Sequence, residues 1–168
     1  LWKFEDVKNL PEDSIKPLYE YKHPVIVSQP LFSPDSKLFL TVGNDNIVRI
    51  FDLKCNVIAE MKGHTDAITD ANFSADSKYI VTGSNDFTVR VWDLEGNELQ
   101  MLTGHKAAIT KAKFSADGKY ILTASNDHTA MLMPWRVEDV LRKVNVEKVR
   151  GEVWELSEED KALYGIVK

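Results

Sequence analysis

The chain repeats itself every 41 residues, and that period constrains its fold more than any other feature of the sequence. Phe32-Ser33-Pro34-Asp35 returns as Phe73-Ser74-Ala75-Asp76 and again as Phe114-Ser115-Ala116-Asp117. The same spacing links His23, His64 and His105, then Thr41, Thr82 and Thr123, then Asp45, Asp86 and Asp127. Four landmarks in one register leave no room for coincidence. A unit this short cannot bury its own apolar face, so consecutive copies must stack on one another.

Inside each period the pattern is that of strands. Tyr79-Ile80-Val81-Thr82 and Thr88-Val89-Arg90-Val91-Trp92 are rich in β-branched and aromatic residues. Ser84-Asn85-Asp86 between them reads as a tight turn, because Asn and Asp tolerate left-handed geometry. Further turns are marked by Ala75-Asp76-Ser77, Leu94-Glu95-Gly96-Asn97 and Gly63-His64. Four short strands per period with no helix between them predict four-stranded antiparallel sheets repeated along the chain.

Composition then excludes several partners. Twenty-one basic residues against 26 acidic ones leave a net charge of −5, and no run of Lys or Arg stands out, so no nucleic-acid partner is expected. Apolar runs extend only a few residues, so no spanning helix and no membrane partner are expected. Cys55 is the single cysteine, which rules out an internal disulfide and suits a cytoplasmic location. The four histidines have no metal-ligand spacing with a cysteine or carboxylate cluster, so neither a metal nor another cofactor is expected. The chain starts at Leu1 rather than Met, which we read as a start inside a longer or processed protein.

Gly63-His64, Phe73-Ser74-Ala75-Asp76, Ser84-Asn85-Asp86 and Trp92-Asp93 together resemble the WD-repeat family over roughly residues 17 to 135. The resemblance implies an all-β fold, a β-propeller of four-stranded antiparallel blades around a central channel. It further implies that each repeat supplies the outer strand of one blade and the inner three of the next. In such repeats a His, a Ser or Thr, an Asp and a Trp often form a hydrogen-bonded tetrad. Only the middle repeat carries all four, as His64, Thr82, Asp86 and Trp92. Partial sets are His23, Thr41 and Asp45, with Phe51 in the Trp position, and His105, Thr123 and Asp127, with Met133 there. Each buried member left unpaired would cost ~1–3 kcal/mol. A His-Thr-Asp set also invites a catalytic reading, but catalytic sets do not recur once per repeat, whereas architectural ones do.

Pro134 stands where the second repeat has Asp93, and it fits a sheet edge or strand end. His23 is followed by Pro24 and lacks a preceding Gly, so the first repeat is divergent as well. His128 reads as a solvated loop residue. Three repeats fall short of the 4–8 blades of a typical propeller, so the ring is expected to be completed by chain not present here or by self-association. Residues 1–16 read as the end of a preceding blade, Leu1-Trp2, plus an insertion around Asn9-Leu10-Pro11-Glu12-Asp13. Residues 136–168 read as a helical tail packing on the last blade: Val137, Val140, Leu141 and Val144 have helical spacing, and Ser157-Glu158-Glu159-Asp160 has a helix-start pattern. This tail is similar to the C-terminal ends of bacterial multidomain WD-repeat proteins, in which the propeller is often a sensor or scaffold.

The leading functional expectation is a non-catalytic protein-interaction scaffold or a sensor/regulatory propeller, binding a protein, a peptide or other domains of the same protein. A catalytic propeller with a hydrolase-type site in the channel, or a purely structural spacer, are the alternatives. On the innermost strands Asp70, Lys111 and Gln29 occupy equivalent positions and read more simply as an interblade or solvated set than as an active site. The family's usual contact face, formed by the loop after Gly-His and the turn before the third strand, maps onto Thr65, Asp66, Lys106, Asn44, Asn85 and Asn126.

Overall fold

The computed structural model describes residues 17–136. They form eleven strands: β1 (Val27–Phe32), β2 (Leu38–Gly43), β3 (Ile47–Asp52), β4 (Val57–Lys62), β5 (Ile68–Phe73), β6 (Tyr79–Ser84), β7 (Val89–Asp93), β8 (Glu98–Leu102), β9 (Ile109–Phe114), β10 (Tyr120–Ser125) and β11 (Ala130–Pro134). The strands make three antiparallel sheets, ordered β1-β2-β3-β4, β5-β6-β7-β8 and β9-β10-β11. Each is a simple meander, and the three are partial β-propeller blades. The reading of residues 1–16 and of the tail beyond Arg136 lies outside the described residues.

The Phe-Ser-x-Asp motif earns its recurrence as a turn lock. Ser33, Ser74 and Ser115 hydroxyls donate to Asp35, Asp76 and Asp117 at 2.7, 2.6 and 2.6 Å. The same hydroxyls accept from the N–H groups of Leu38, Tyr79 and Tyr120, which open the next strand. The turn bends through a left-handed residue, Ser36, Ser77 or Gly118.

A second lock carries the chain into the fourth strand. Asp52 accepts from the main chain and side chain of Asn56, and Asp93 does the same for Asn97. In the third blade Pro134 replaces this aspartate at the end of β11, opposite Tyr120. Among the described residues the third sheet has three strands, with β11 last in its order.

Two apolar clusters hold the blades together. Leu40, Val42, Val48 and Ile50 of the first sheet pack with Ala71, Phe73, Ile80 and Trp92 of the second. Val81, Val89 and Val91 on the second sheet's other face pack with Ile109, Ala112, Ile121, Met133 and Trp135 of the third. Alternation along each strand therefore serves two interfaces, because a middle blade is covered on both faces.

Polar links join the inner strands. Asp70, buried on β5, accepts from Gln29 Nε2 at 3.0 Å, Lys111 Nζ at 3.2 Å, the Ala112 N–H at 3.0 Å and Asn72 Nδ2 at 3.0 Å. The three equivalent positions 29, 70 and 111 thus converge on one carboxylate that ties all three blades.

Candidate functional site

The site grows from the connections at one end of the sheets. In the second blade the His64 ring is buried, with Nδ1 2.8 Å from Asp86 Oδ2 and Nε2 2.7 Å from Thr82 Oγ1. Trp92 Nε1 donates to the same Thr82 oxygen at 2.9 Å. Burial lowers the His64 pKa despite the opposing Asp86 carboxylate, so the ring is neutral near pH 7. Nδ1 then carries the proton toward Asp86, and Nε2 accepts from the Thr82 hydroxyl. Donation runs in one direction, Trp92 to Thr82 to His64 to Asp86.

Asp86 closes the network. It also accepts from the N–H groups of Thr65 and Thr88 and from the Thr88 hydroxyl at 2.7 Å. Burial alone pushes this carboxyl up; the Thr88 and His64 hydrogen bonds and the main-chain donors outweigh it and bring it down to about 2. Space beside this set at Gly63 is tight: a Cβ there would lie 2.6 Å from the end of the Arg90 side chain, which would have to shift, and 3.1 Å from the Trp92 ring.

The third blade repeats the arrangement without the indole. His105 Nδ1 lies 2.8 Å from Asp127, and Nε2 lies 2.8 Å from Thr123 Oγ1. Asp127 accepts from the Lys106 N–H and from Thr129, whose hydroxyl leads the donors that hold its pKa well below the usual carboxylate range. The third repeat's indole is that of Trp135, at the opposite end of the sheet, where it is buried, donates to the Gly118 carbonyl at 2.9 Å and meets Tyr79 and Phe114 edge-on. Sequence reasoning placed Trp135 only at the repeat's end; the missing Trp at position 133 was the available signal.

In the first blade the set comes apart. His23 Nε2 is 3.5 Å from Thr41 Oγ1, and buried Nδ1 has no hydrogen-bond partner among the described residues. Asp45 turns instead to Arg49, with contacts of 2.7 and 3.2 Å, and Arg49 also binds Glu60 at 2.9 Å. The cause is local. Pro24 lacks the N–H that Thr65 and Lys106 donate to their aspartates, and Ile47 lacks the hydroxyl of Thr88 and Thr129. Phe51 fills the tryptophan position against Tyr21, His23 and Phe39.

The candidate face residues all lie at this end. In each blade the loop after the histidine is bonded to the turn before the third strand. Asn44, Asn85 and Asn126 donate their N–H groups to the carbonyls of Ile26, Ala67 and Ala108, and Ser84 and Ser125 add side-chain bonds to Asp66 and Ala107. Thr65, Asp66, Lys106, Asn44 and Asn126 are exposed, and Asn85 is half-buried. One detail of the turn reading is corrected: the left-handed residues are Asn46, Phe87 and His128, two places further on, not the three asparagines. The turn places its positive φ at the residue following Asp86, after the Asp main chain has bonded Ser84.

Among the described residues no three His, Cys, Asp or Glu side chains are grouped to hold a metal ion. A comparison with curated proteins found no match. The WD40 family model (WD domain, G-beta repeat) matches residues 15–52, 55–93 and 96–132. The second and third matched units are staggered against the sheets: residues 55–93 supply β4 to the first sheet and β5, β6 and β7 to the second, and residues 96–132 begin with β8 of the second sheet. By these three matches, which cover most of its length, the chain belongs to the WD40 repeat family.

Proposed function

We propose that the chain is a non-catalytic interaction module whose partner-binding face is the loop end carrying Thr65, Asp66, Lys106, Asn44, Asn85 and Asn126. Repeats of this family generally mediate protein–protein scaffolding and are typically non-catalytic. One observation carries the finer reading: in every blade the loop and the turn of this end are hydrogen-bonded to each other. A face held in this way costs little ordering on binding, while its exposed side chains vary from blade to blade. The most tempting catalytic set is also fully occupied. Thr82 is completely buried, and both His64 ring nitrogens are engaged.

The arc is completed by further blades, from a longer chain or from other copies. Exposed Phe32 on the first sheet, and exposed Leu122 and Leu132 on the third, support this reading. The proposed setting is the cytoplasm, as the regulatory or scaffolding part of a larger protein.

The test compares partner capture by the chain with Asp66→Arg, Lys106→Glu and, from the opposite end, Glu95→Arg. Charge reversal on a binding rim weakens association without disturbing folding. If only Glu95→Arg weakens capture, the partner uses the other end and the reading fails.

A further inference from the structure

The two ends of the arc carry the two halves of one interface. At both internal junctions the same repeat positions meet. The face turned toward the next blade is built from Leu40, Val42, Val48 and Ile50 in the first sheet and from Val81, Val89 and Val91 in the second. The face that receives it is built from Ala71, Phe73, Ile80 and Trp92, then from Ala112, Phe114, Ile121 and Met133. One period of 41 residues carries Val81, Val89 and Val91 onto Leu122, Ala130 and Leu132 of the third sheet. The same step back carries Ala71, Phe73, Ile80 and Trp92 onto Pro30, Phe32, Phe39 and Phe51 of the first.

Exposure marks where the covering blade is wanted. Val81 and Val91 are 0% exposed, whereas Leu122 and Leu132 are 53% and 63% exposed. Phe73 is 9% exposed and Phe32 is 64% exposed. The third sheet thus offers the face that covers a blade, and the first sheet offers the face that such a blade covers.

The polar groups of the two ends match as well. Between the first and second blades the Asp35 N–H donates to Ser77 Oγ, and Ser77 is buried there. Its equivalent Ser36 has the same left-handed backbone, φ 58° against 60°, and is exposed. The equivalent donor at the other end is the Asp117 N–H. On the inner strands Gln29 Nε2 donates across the first junction to the Ala71 carbonyl at 2.9 Å. The corresponding pair at the two ends is Lys111, whose ammonium has donors to spare beside its 3.2 Å contact with Asp70, and the Pro30 carbonyl. At the second junction the Ala112 N–H meets the Asp70 carboxylate. Pro30 has no N–H to give, and Lys111, in the place of Asp70, has no acceptor that needs one. A blade with Asp at that position would leave its carboxylate one donor short against Pro30, so the lysine-bearing blade of this same chain is the better fit.

We propose that the occupant of both ends is a second copy of this chain, the third blade of each copy seating on the first blade of the other. This rests on the reading that further blades complete the arc, and it names what completes it. An interface between two different faces of one chain is heterologous, and it gives a closed ring where the rotation closes and a filament where it does not. Two copies bring six blades, inside the range of about 4–8 for a propeller, whereas three would exceed it.

The experiment measures mass in solution, by sedimentation velocity, for the full chain, for Phe32→Lys, for Leu132→Lys and for an equimolar mixture of the two variants. Both side chains are exposed, and far-ultraviolet circular dichroism checks that each variant keeps its strands. The expected wild type is a dimer, and each variant alone is a monomer. In the mixture one junction joins two unaltered faces and the other sets lysine against lysine, so a 1:1 dimer returns. Asp66→Arg and Lys106→Glu, on the loop end, leave the mass unchanged, which separates this assembly from the partner-binding face. A dimer that survives both single substitutions, a mixture that stays monomeric, or a wild type that grows into open filaments overturns the proposal. A monomeric wild type overturns it too, and the apolar-surface dye ANS then judges the reading beneath. Dye binding keeps the open ends and removes only the second copy, whereas no binding removes both.

Discussion

The first and second blades share a strand plan but treat the same aspartate in opposite ways. Asp86 gathers four donors from His64, Thr65 and Thr88 and locks a loop to a turn. Asp45, at the equivalent place, forms an ion pair with Arg49, whose side chain is only 5% exposed, and His23 Nδ1 has no hydrogen-bond partner among the described residues. Two substitutions separate the outcomes: Pro24 for Thr65, and Ile47 for Thr88. A carboxylate settles where most donors are supplied, so removing two donors hands it to the nearest guanidinium. The His-Thr-Asp set is thus a network held by its main-chain donors as much as by the named side chains.

The sharpest way to break this comparison is to delete the two histidines separately. His64→Ala leaves Asp86 and Thr82 short of partners in a buried site and should cost about 2–4 kcal/mol in urea unfolding, whereas His23→Ala should cost less than about 1 kcal/mol. Equal losses would mean that the intact network confers nothing beyond packing.

A smaller effect comes from making the second blade resemble the third. Trp92→Phe removes the indole donor to Thr82 and some packing, and should cost about 1–3 kcal/mol. The third blade already works without that donor, since Met133 stands in its place and His105 keeps both contacts. An unchanged midpoint would show that the indole N–H is replaced by another partner.

The pH dependence sharpens the contrast further. The folded His64 pKa is lowered from 6.5, so the unfolded chain binds a proton first and stability falls as pH drops below about 6.5. Asp86 has its folded pKa at about 2 against 3.8, so its contribution is present above 3.8 and is lost as pH falls toward 2. Nitrogen NMR of the imidazoles should find His64 as the Nδ1–H tautomer with a midpoint below 6.5. A midpoint at or above 6.5 would contradict the one-way donor chain.

The smallest effect concerns the opposite end of the blades. Ser77 Oγ accepts from the Asp35 N–H and bridges the first two blades, whereas Gly118, its equivalent, offers no hydroxyl. A shallow cavity of about 110 Å³ lies there, lined by Ala75, Asp76, Ala116, Asp117, Gly118 and Arg136. Gly118→Ser is tolerated because Ser77 already adopts φ 60°. It should slow amide exchange at Asp76 while changing stability by less than about 1 kcal/mol. Exchange as fast as in the wild type would mean that the blades do not approach there as the first pair does.

Much of this was legible in the residues. The strand count per period, the turn motifs, the membership of the second and third His-Thr-Asp sets and the place of Pro134 at a strand end all follow from spacing and side-chain chemistry. The diversion of Asp45 was legible in principle, because Pro24 and Ile47 announce the missing donors, but only knowledge of which N–H faces the carboxylate makes those two residues meaningful. The hub at Asp70 was read as an interblade or solvated set; its burial and its four donors depend on how three inner strands approach one another. Trp135 could not be placed from the pattern, since its packing partners Tyr79 and Phe114 lie on two different blades.

The sequence by itself determined the repeating unit, its antiparallel strands and the chemistry offered at each equivalent position. These are local matters, fixed by turn residues and by alternation along one strand. Only the tertiary structure decided which offers were taken up. Asp86 meets an imidazole 22 residues away, Asp45 a guanidinium four residues away, and Asp70 donors 41 residues away on either side, and which of these contacts forms depends on how the chain packs. Spacing can name those neighbours but cannot measure their distance, and a hydrogen bond is decided by a few tenths of an ångström.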